Sequence, residues 1–192
     1  MAAFTTQPLT SATWPQFETL VEAHNGVFGG CWCIGFHAVS RPGRTYAERR
    51  EEKRQLVAAG KTHSALVFEG EACVGWCQFG SPAELPEIKN KKNYNATQTG
   101  EPPPWRITCF FVDRHHRRMG VAATALRGAL EQIGQLGGGV VEAYPEDLHG
   151  NKVSPTFLHA GTLAMFEHAG FTPDRQIGKN KWVVRLDVPA SR

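Results

Sequence analysis

The sequence lacks the long apolar runs and the basic leader that would direct a chain into or across a membrane. No apolar run approaches the roughly 20 residues of a membrane-spanning helix. The N-terminal MAAFTTQPLTSATW has no basic head and no long apolar centre. A large excess of one charge is also missing: the formal net charge is +3 over 192 residues, too small for wholesale binding of a polyanion. A cytoplasmic protein without a membrane or nucleic-acid partner is therefore expected.

Paired cysteines are missing as well. The five cysteines are an odd number without a C-x-x-C pair, which argues against a disulfide framework. A zinc site built from Cys31, Cys33 and His37 matches no common ligand spacing. We expect reduced cysteines that act as small apolar core residues, and no bound metal.

Helices alternate with strands along the chain. Thr13 with Gln16 and Thr45 with Glu48 have capping-box spacing, which predicts two N-terminal helices. HSALVFEG and EACVGWCQFG predict a β-hairpin, and strict alternation places Cys73, Cys77 and Phe79 on one face. Strands in WRITCFFV, GGGVVEAYP and KWVVRLDV follow, separated by a helix with an apolar face from 122 to 133 and by a helix in FLHAGTLAMFEHAGF. This order predicts a single α/β domain over 1–192 around one mixed sheet.

Residues 80–104, GSPAELPEIKNKKNYNATQTGEPPP, have no periodicity and predict a long loop or insertion. Loops of this length in a compact domain are usually functional covers or mobile segments. The composition leaves a substrate cover and simple disorder equally open.

The stretch VDRHHRRMGVAATAL places a basic turn between a strand and a helix. The first N–H groups of a helix have no partner within it and lie at the positive end of its dipole, so they form an anion site. Gly120 and Ala122 let a phosphate approach the backbone, and Arg117 and Arg118 add charge. His115 and His116 are expected to face solvent. The spacings G-x-x-x-x-G-K-[ST] and G-x-G-x-x-G are both absent, so a diphosphate site of another kind is predicted.

Nucleic-acid binding is the weaker interpretation of this basic turn. The following helix has an alanine-rich face suited to packing, and Arg127 is its only basic residue. No aromatic and basic residues alternate beside it in the way that base stacking requires.

The segment Arg117-x-x-Gly120-x-Ala122 resembles the [QR]-x-x-G-x-[GA] signature of the GNAT superfamily of acyl-CoA-dependent N-acyltransferases, and MFEHAGF follows at the expected distance. The order of predicted helices and strands is similar over most of the chain, whereas residues 80–104 and CWC lie outside the general family pattern. The resemblance implies a mixed central sheet flanked by helices, with a splay between the two central strands. It also implies an N-acetyltransferase that moves an acetyl group from acetyl-CoA to a small-molecule or peptide amine by direct attack in a ternary complex. Homodimers are common in the family.

The resemblance further implies where acetyl-CoA binds. Its pyrophosphate is expected against the backbone of the basic turn and helix start, and its pantetheine arm along the end of the preceding strand, as an added strand would bind. The candidate residues are Phe110, Phe111, Val112, Arg117, Arg118, Met119, Gly120, Val121, Ala122 and Ala123.

The sequence offers several candidates for the groups that transfer protons in catalysis. In many family members a tyrosine four residues before the glycine of the last GF donates a proton, but Phe166 stands here. Glu142 and Tyr144 share a strand face by the two-residue period, so Glu142 is the candidate to take the amine proton and Tyr144 the candidate to protonate the thiolate. The alternatives are a rim carboxylate and a core tyrosine. Since Phe166 has no proton to give, a non-catalytic acyl-CoA-binding sensor or structural subunit is the alternative function. Outside candidates are Thr108, Cys109, Ser154 and His159, although no base partner for a nucleophilic Cys109 is indicated.

The acceptor amine is not readable from the sequence. Aromatic residues are candidates for its pocket, and each is as readily explained by core packing. They are Trp32, Phe36, Trp76, Tyr94 and Trp105.

Overall fold

Seven strands form one mixed sheet in the computed structural model, which describes residues 4–39, 42–150 and 159–191. The strands are β1 (Phe4–Pro8), β2 (His63–Glu69), β3 (Ala72–Gly80), β4 (Trp105–Val112), β5 (Gly139–Ala143), β6 (Thr172–Gln176) and β7 (Trp182–Val188). Their order in the sheet is β1-β2-β3-β4-β5-β7-β6. Only β4 and β5 run parallel among these pairs. The predicted α/β fold with a mixed sheet is confirmed.

Two helices precede the hairpin, as predicted, but they begin differently. Helix α1 (Trp14–Ala23) starts after Thr13, whose hydroxyl donates to the Pro8 carbonyl at 2.7 Å instead of capping the helix. The predicted capping box of Thr13 is therefore wrong. Helix α2 (Tyr46–Ala58) has the predicted box: the Thr45 hydroxyl accepts from Glu48 N, and the Glu48 carboxylate accepts from Thr45 N at 2.7 Å.

The long polar stretch contains a helix of its own, α3 (Lys91–Thr97). Leu85 and Tyr94 are buried at 0% and 4% exposure and hold the stretch against the domain. The side chains of Asn90 and Asn93 both donate to the Ile177 carbonyl, at 3.1 and 3.0 Å. A helix of seven residues is too short to show an apolar period in the sequence.

Apolar side chains cover both faces of the sheet. Helix α4 (Val121–Gln135) lies on one face with α5 (Leu163–His168), and its predicted apolar face is confirmed. Helix α1 and residues 24–39 lie on the other face, around the fully buried Trp32 and Trp76. No helix within the described ranges is long and apolar enough to span a bilayer. The buried residues of α4 include Val121, Ala125, Leu126, Ala129 and Ile133.

Bulges change the facing of side chains in the central strands. In the hairpin, Val67 pairs with Gly75 and Phe68 pairs with Cys73, so Val74 is an extra residue. Cys73 therefore packs with the α1 side, whereas Cys77 packs with the α4 side. The predicted alternation of Cys73 with Cys77 is wrong, because one inserted residue reverses the facing beyond it.

A second bulge lies in β4. Phe79 of β3 pairs with Ile107 and Gln78 pairs with Cys109, which leaves Thr108 without a partner in β3.

Candidate functional site

The start of α4 presents backbone amides at an open surface. Gly120 precedes the helix with φ of +86°, a left-handed conformation that glycine adopts at little cost. A Cβ added there would have no atom within 4 Å. The Thr124 amide donates to the Gly120 carbonyl at 2.9 Å, and no side chain among the described residues caps the helix. The amides ahead of Thr124, with the helix dipole behind them, suit an anion.

The side chains around these amides leave the backbone accessible. Residues 117–120 are exposed, and Met119 has 49% of its surface in solvent. Val121 is buried at 1% exposure and packs under the turn, where its Cγ1 would lie 2.8 Å from a Cβ at Gly75. The structure thus places the predicted residues 117–123 together beyond the end of β4, and the side chain of Val121 points into the core.

A chain of ionisable groups supports the basic turn. Asp113 Oδ2 lies 2.8 Å from His116 Nδ1, and Glu69 Oε2 lies 3.0 Å from His116 Nε2. Burial by itself would lower the pKa of His116, but the bonds to Glu69 and Asp113 outweigh it and raise that pKa. Asp113 Oδ1 also accepts from the His115 amide at 3.2 Å. His115 is exposed as predicted, whereas the prediction for His116 is wrong, since its side chain is only 18% exposed.

Strands β4 and β5 separate part-way along their length. Their pairing covers three positions and ends where Ile107 faces Ala143. Past that point, β3 is the one strand among the described residues that pairs with β4. The Asp113 amide bonds to β3, so the alternation of an antiparallel pair turns the main-chain groups of Phe110 and Val112 toward the gap. The splay implied by the resemblance is present.

The backbone of His159 lies in part of this gap. The Phe110 amide donates to the His159 carbonyl at 2.6 Å. Phe111 pairs with Trp76 of β3, so its own main-chain groups face away from the gap. A ligand arm lying along β4 would meet the groups of Val112 directly. It would reach the Phe110 amide only by replacing His159.

A cavity of about 500 Å³ opens beside the gap, on the α1 face of the sheet. Rings of Phe28 and Phe36 line it, and their centroids lie 5.7 and 6.1 Å from that of His159. Cys109, next to the gap on β4, also lines it. Of the five aromatic candidates for an acceptor pocket, Phe36 lines this cavity. Its remaining lining residues are Cys31, Cys33, Gly35, Glu87, Ile88 and Lys89.

The site thus combines an open helix start, a splayed strand pair and a neighbouring cavity. A comparison of the sequence with protein families identifies the family. A family model described as acetyltransferase (GNAT) family matches residues 17–154. The chain belongs to this family. No curated protein matches the sequence.

Solved structures of GNAT proteins share the fold over nearly the whole chain. The histone acetyltransferase HPA2 and related acetyltransferase from Corynebacterium glutamicum has 15% identity and a TM-score of 0.54, covering 99% of this chain and 98% of that one. YncA from Salmonella typhimurium, solved with its cofactor acetyl-CoA, has 12% identity and a TM-score of 0.55, covering 98% and 96%. Arabidopsis thaliana NAA60, in complex with acetyl-CoA, has 13% identity and a TM-score of 0.52, covering 97% and 99%. At these identities the likeness concerns the fold.

Glu142 and Tyr144 of this GNAT protein meet on one face, since the Tyr144 hydroxyl donates to Glu142 Oε2 at 3.2 Å. Glu142 is fully buried, and its Oε1 accepts from Arg185 Nε and Nη2 at 3.0 and 2.7 Å. Tyr94 donates to Oε2 at 2.7 Å. Burial raises the pKa of Tyr144 well above its ordinary value, with Arg106 lowering it and Glu142 raising it further. Neither catalytic candidate lines the cavity, and both are engaged with other side chains.

Phe166 occupies the position that holds a tyrosine in many GNAT enzymes, and here it is a core residue. Phe166 is fully buried, with ring centroids 5.9 Å from Phe110 and 4.9 Å from Phe171. Thr108 is buried at 3% exposure. Ser154 lies outside the described residues.

The cysteines are free thiols, and four of the five are buried. Among the described residues no group of three or more His, Cys, Asp or Glu side chains is placed to hold a metal ion. Cys33 and His37 instead both contact Gln78, with Cys33 Sγ 3.0 Å from Gln78 Oε1 and His37 Nε2 2.7 Å from Gln78 Nε2.

Proposed function

We propose that this protein is an N-acetyltransferase that moves the acetyl group of acetyl-CoA to an amine by direct attack in a ternary complex. The observation that carries the proposal is the open helix start at Gly120, which adjoins a gap between β4 and β5 that leads to a cavity. A diphosphate, an extended arm and an acceptor would each have a place in one continuous site.

The fit of acetyl-CoA to the chain rests on backbone groups. The amides of residues 117–123 would hold the pyrophosphate, and the open space at Gly120, where an added Cβ meets no atom within 4 Å, would leave room for its oxygens. Val112 would meet the pantetheine arm directly, and the Phe110 amide would do so where the arm replaces His159. Acetyl-CoA supplies the activated thioester. The chain fixes the position of that thioester and brings the amine to it, which is a large part of catalysis in a two-substrate reaction.

The acceptor in this proposal is a small-molecule or peptide amine. Phe28 and Phe36 give the cavity an apolar wall, while Glu87 and Lys89 provide charge. An amine that carries an apolar group suits such a lining. We place the protein in the cytoplasm, expect no nucleic-acid or membrane partner, and leave a homodimer open.

A second function is favoured by one observation. Phe166 has no proton to donate, Glu142 accepts from Arg185 and Tyr94, and the Tyr144 hydroxyl donates to Glu142. A module of this kind would bind acyl-CoA without turning it over, as a sensor or structural subunit.

Thiol release from acetyl-CoA across a panel of amines separates the two functions. We expect amine-dependent release of CoA by the parent protein. Calorimetric binding of CoA without release for any amine would favour the binding module, and absence of both binding and release would remove both functions.

Arg117→Ala should weaken CoA binding without abolishing it, since the backbone amides carry the site.

A further inference from the structure

A fully buried lysine lies under the cavity. Lys53 of α2 has 0% exposure, and its Nζ donates to Thr62 Oγ1 at 2.8 Å and to the Cys33 carbonyl at 3.4 Å. No carboxylate among the described residues pairs with it. An ammonium group buried without an anion is costly, so the groups around Lys53 determine whether the charge can be held.

The neighbouring histidine supplies no negative charge. His37 Nε2 lies 3.1 Å from Thr62 Oγ1 and 2.7 Å from Gln78 Nε2, so it accepts from these donors. Burial, together with the charge of Lys53, lowers the pKa of His37 to about 3. The ring is therefore neutral at physiological pH, and a thiol is the group near Lys53 that can become an anion.

Cys33 has partners for both of its protonation states. As a thiol it donates to Gln78 Oε1 at 3.0 Å, and as a thiolate it accepts from Trp76 Nε1 at 3.3 Å and from Cys109. Burial alone would raise the pKa of Cys33, but the Cys109 hydrogen bond, the Lys53 charge and the Trp76 N–H together lower it to about 7.

The other thiols nearby have raised pKa values instead. Burial raises the pKa of Cys31 and raises that of Cys77 well above its ordinary value. The pKa of Cys109 is also raised, first by its bond to Cys33 and then by burial. Among the thiols that face Lys53, Cys33 is therefore the one suited to exchange a proton near neutral pH.

Cys33 is also close to where the reaction would occur. Cys33 and Cys109 line the same cavity, and Cys109 directly precedes Phe110, whose amide faces the β4–β5 gap. The backbone at Trp32 and Cys33 is left-handed, with φ of +49° and +56°. Non-glycine residues pay for this conformation, and such strain is concentrated at functional sites.

We infer that Cys33 is the proton shuttle of the acetyl transfer, with Lys53 as its positioning and charge-balancing partner. This inference rests on the proposed function. The amine nitrogen attacks the thioester carbonyl carbon, and the Cys33 thiolate takes one proton from the nitrogen of the tetrahedral adduct. The bond from carbon to the CoA sulfur then breaks, the CoA thiolate leaves, and the Cys33 thiol gives it that same proton. Cys33 returns to a thiolate, and the products are the amide and CoA.

The first test is a direct titration of the thiol, which needs neither acetyl-CoA nor an amine. Iodoacetamide alkylation of Cys33, followed by peptide mass spectrometry against pH, should show an inflection near pH 7. Lys53→Met should move the inflection upward, toward the ordinary thiol value of about 8.5. Trp76→Phe is the substitute if Lys53→Met does not fold. It keeps a ring, removes one hydrogen-bond donor to Cys33 and should also move the inflection upward. Cys73 is the internal reference, because burial raises its pKa to about 12.

The second test measures turnover with an amine found active for the parent. Cys33→Ser should lower kcat by roughly 100-fold and leave the Kd for CoA unchanged. Lys53→Met should move the pH inflection of kcat upward with that of alkylation. A purely structural role of Lys53 would lower kcat without moving the inflection. Cys73→Ser is the matched control for loss of a buried thiol and should keep parental kcat.

The outcomes separate this inference from the function beneath it. Parental kcat for Cys33→Ser, or an alkylation inflection that Lys53→Met leaves in place, overturns the shuttle and leaves the acetyltransferase standing. An acetyl group that accumulates on Cys33 and is passed to the amine also overturns the shuttle, because Cys33 would then be a nucleophile. A parent protein that binds CoA but acetylates no amine overturns both.

Discussion

The phenol of Tyr94 donates a hydrogen bond of 2.7 Å to Oε2 of Glu142, and so ties α3 to the centre of the sheet. A hydrogen bond to a charged group contributes about 1.5–3 kcal/mol. We expect Tyr94→Phe to lower the free energy of unfolding by about this amount. Tyr144→Phe should lower it by less, since its bond to the same oxygen is 3.2 Å long. Urea unfolding followed by tryptophan fluorescence measures both, and a larger loss for Tyr144→Phe would contradict this ranking.

Tyr144 can be tested separately for a part in catalysis. The sequence predicts that Tyr144→Phe lowers turnover far more than acyl-CoA affinity. The geometry predicts otherwise: the hydroxyl is bonded to Glu142, its pKa is raised, and it does not line the cavity. We expect kcat of Tyr144→Phe within a few-fold of the parent. Tyr94→Phe is the matched control, because it removes a hydroxyl from the same carboxylate. A loss of about 100-fold confined to Tyr144→Phe would restore its predicted role.

Local patterns were readable from the sequence where neighbouring residues decide the structure. The capping box of Thr45 and Glu48 and the glycine at the start of α4 depend on residues a few positions apart. Thr13 had the same spacing relative to Gln16, but its hydroxyl bonds to the Pro8 carbonyl at the end of β1, a strand that was not predicted. The carbonyl of Pro8, which the capping-box pattern does not include, is therefore the reason why Thr13 does not cap α1.

The buried groups of the site could not be read in this way. Lys53 lies within the charged stretch ERREEKRQ, which is typical of a solvated helix, yet it is fully buried. The facing of Cys73 depends on one bulge residue, Val74. The bond between Tyr94 and Glu142 joins segments far apart in the chain. These features arise from tertiary packing, which local propensity does not determine.

Gly120 should matter to the cofactor beyond its effect on folding. Both Gly120→Ala and Gly60→Ala place a side chain in a left-handed conformation with open space around it, at a cost of about 1–2 kcal/mol in unfolding free energy. We expect CoA affinity to fall about tenfold, which is about 1.4 kcal/mol, for Gly120→Ala alone. Gly120→Val should lose more, because it fills the space that the phosphate needs.

Calorimetry on folded protein measures the CoA affinity of these glycine variants, and urea unfolding measures their stability. Gly60→Ala is the control because Gly60 follows α2, on the opposite side of the sheet from α4. Equal affinities for Gly120→Val and the parent would contradict the placement of the pyrophosphate.

His116 should make the stability of the basic turn depend on pH. Its folded-state pKa is raised by Glu69 and Asp113, so its contribution is fully present below the unfolded value of about 6.5 and is lost as the pH rises through the folded value. Burial alone would raise the pKa of Asp113, but the hydrogen bonds from the His115 amide and His116 outweigh burial and lower that pKa. Asp113 therefore stays charged throughout that window. We expect His116→Gln to lower the unfolding free energy more at about pH 6 than at about pH 9.

Urea unfolding at the two pH values measures the difference between the parent and His116→Gln. His115→Gln is the matched control, because the neighbouring ring is exposed and its Nε2 accepts from Arg114 Nε at 3.0 Å. Its effect should be small and equal at both pH values, since no carboxylate in the described part of the chain pairs with that ring. An effect of His116→Gln that is equal at the two pH values would show that the ion pairs with Glu69 and Asp113 do not hold the turn. The turn would then be supported by the other contacts of Asp113, whose Oδ1 lies 3.2 Å from the His115 amide and 3.2 Å from His24 Nε2.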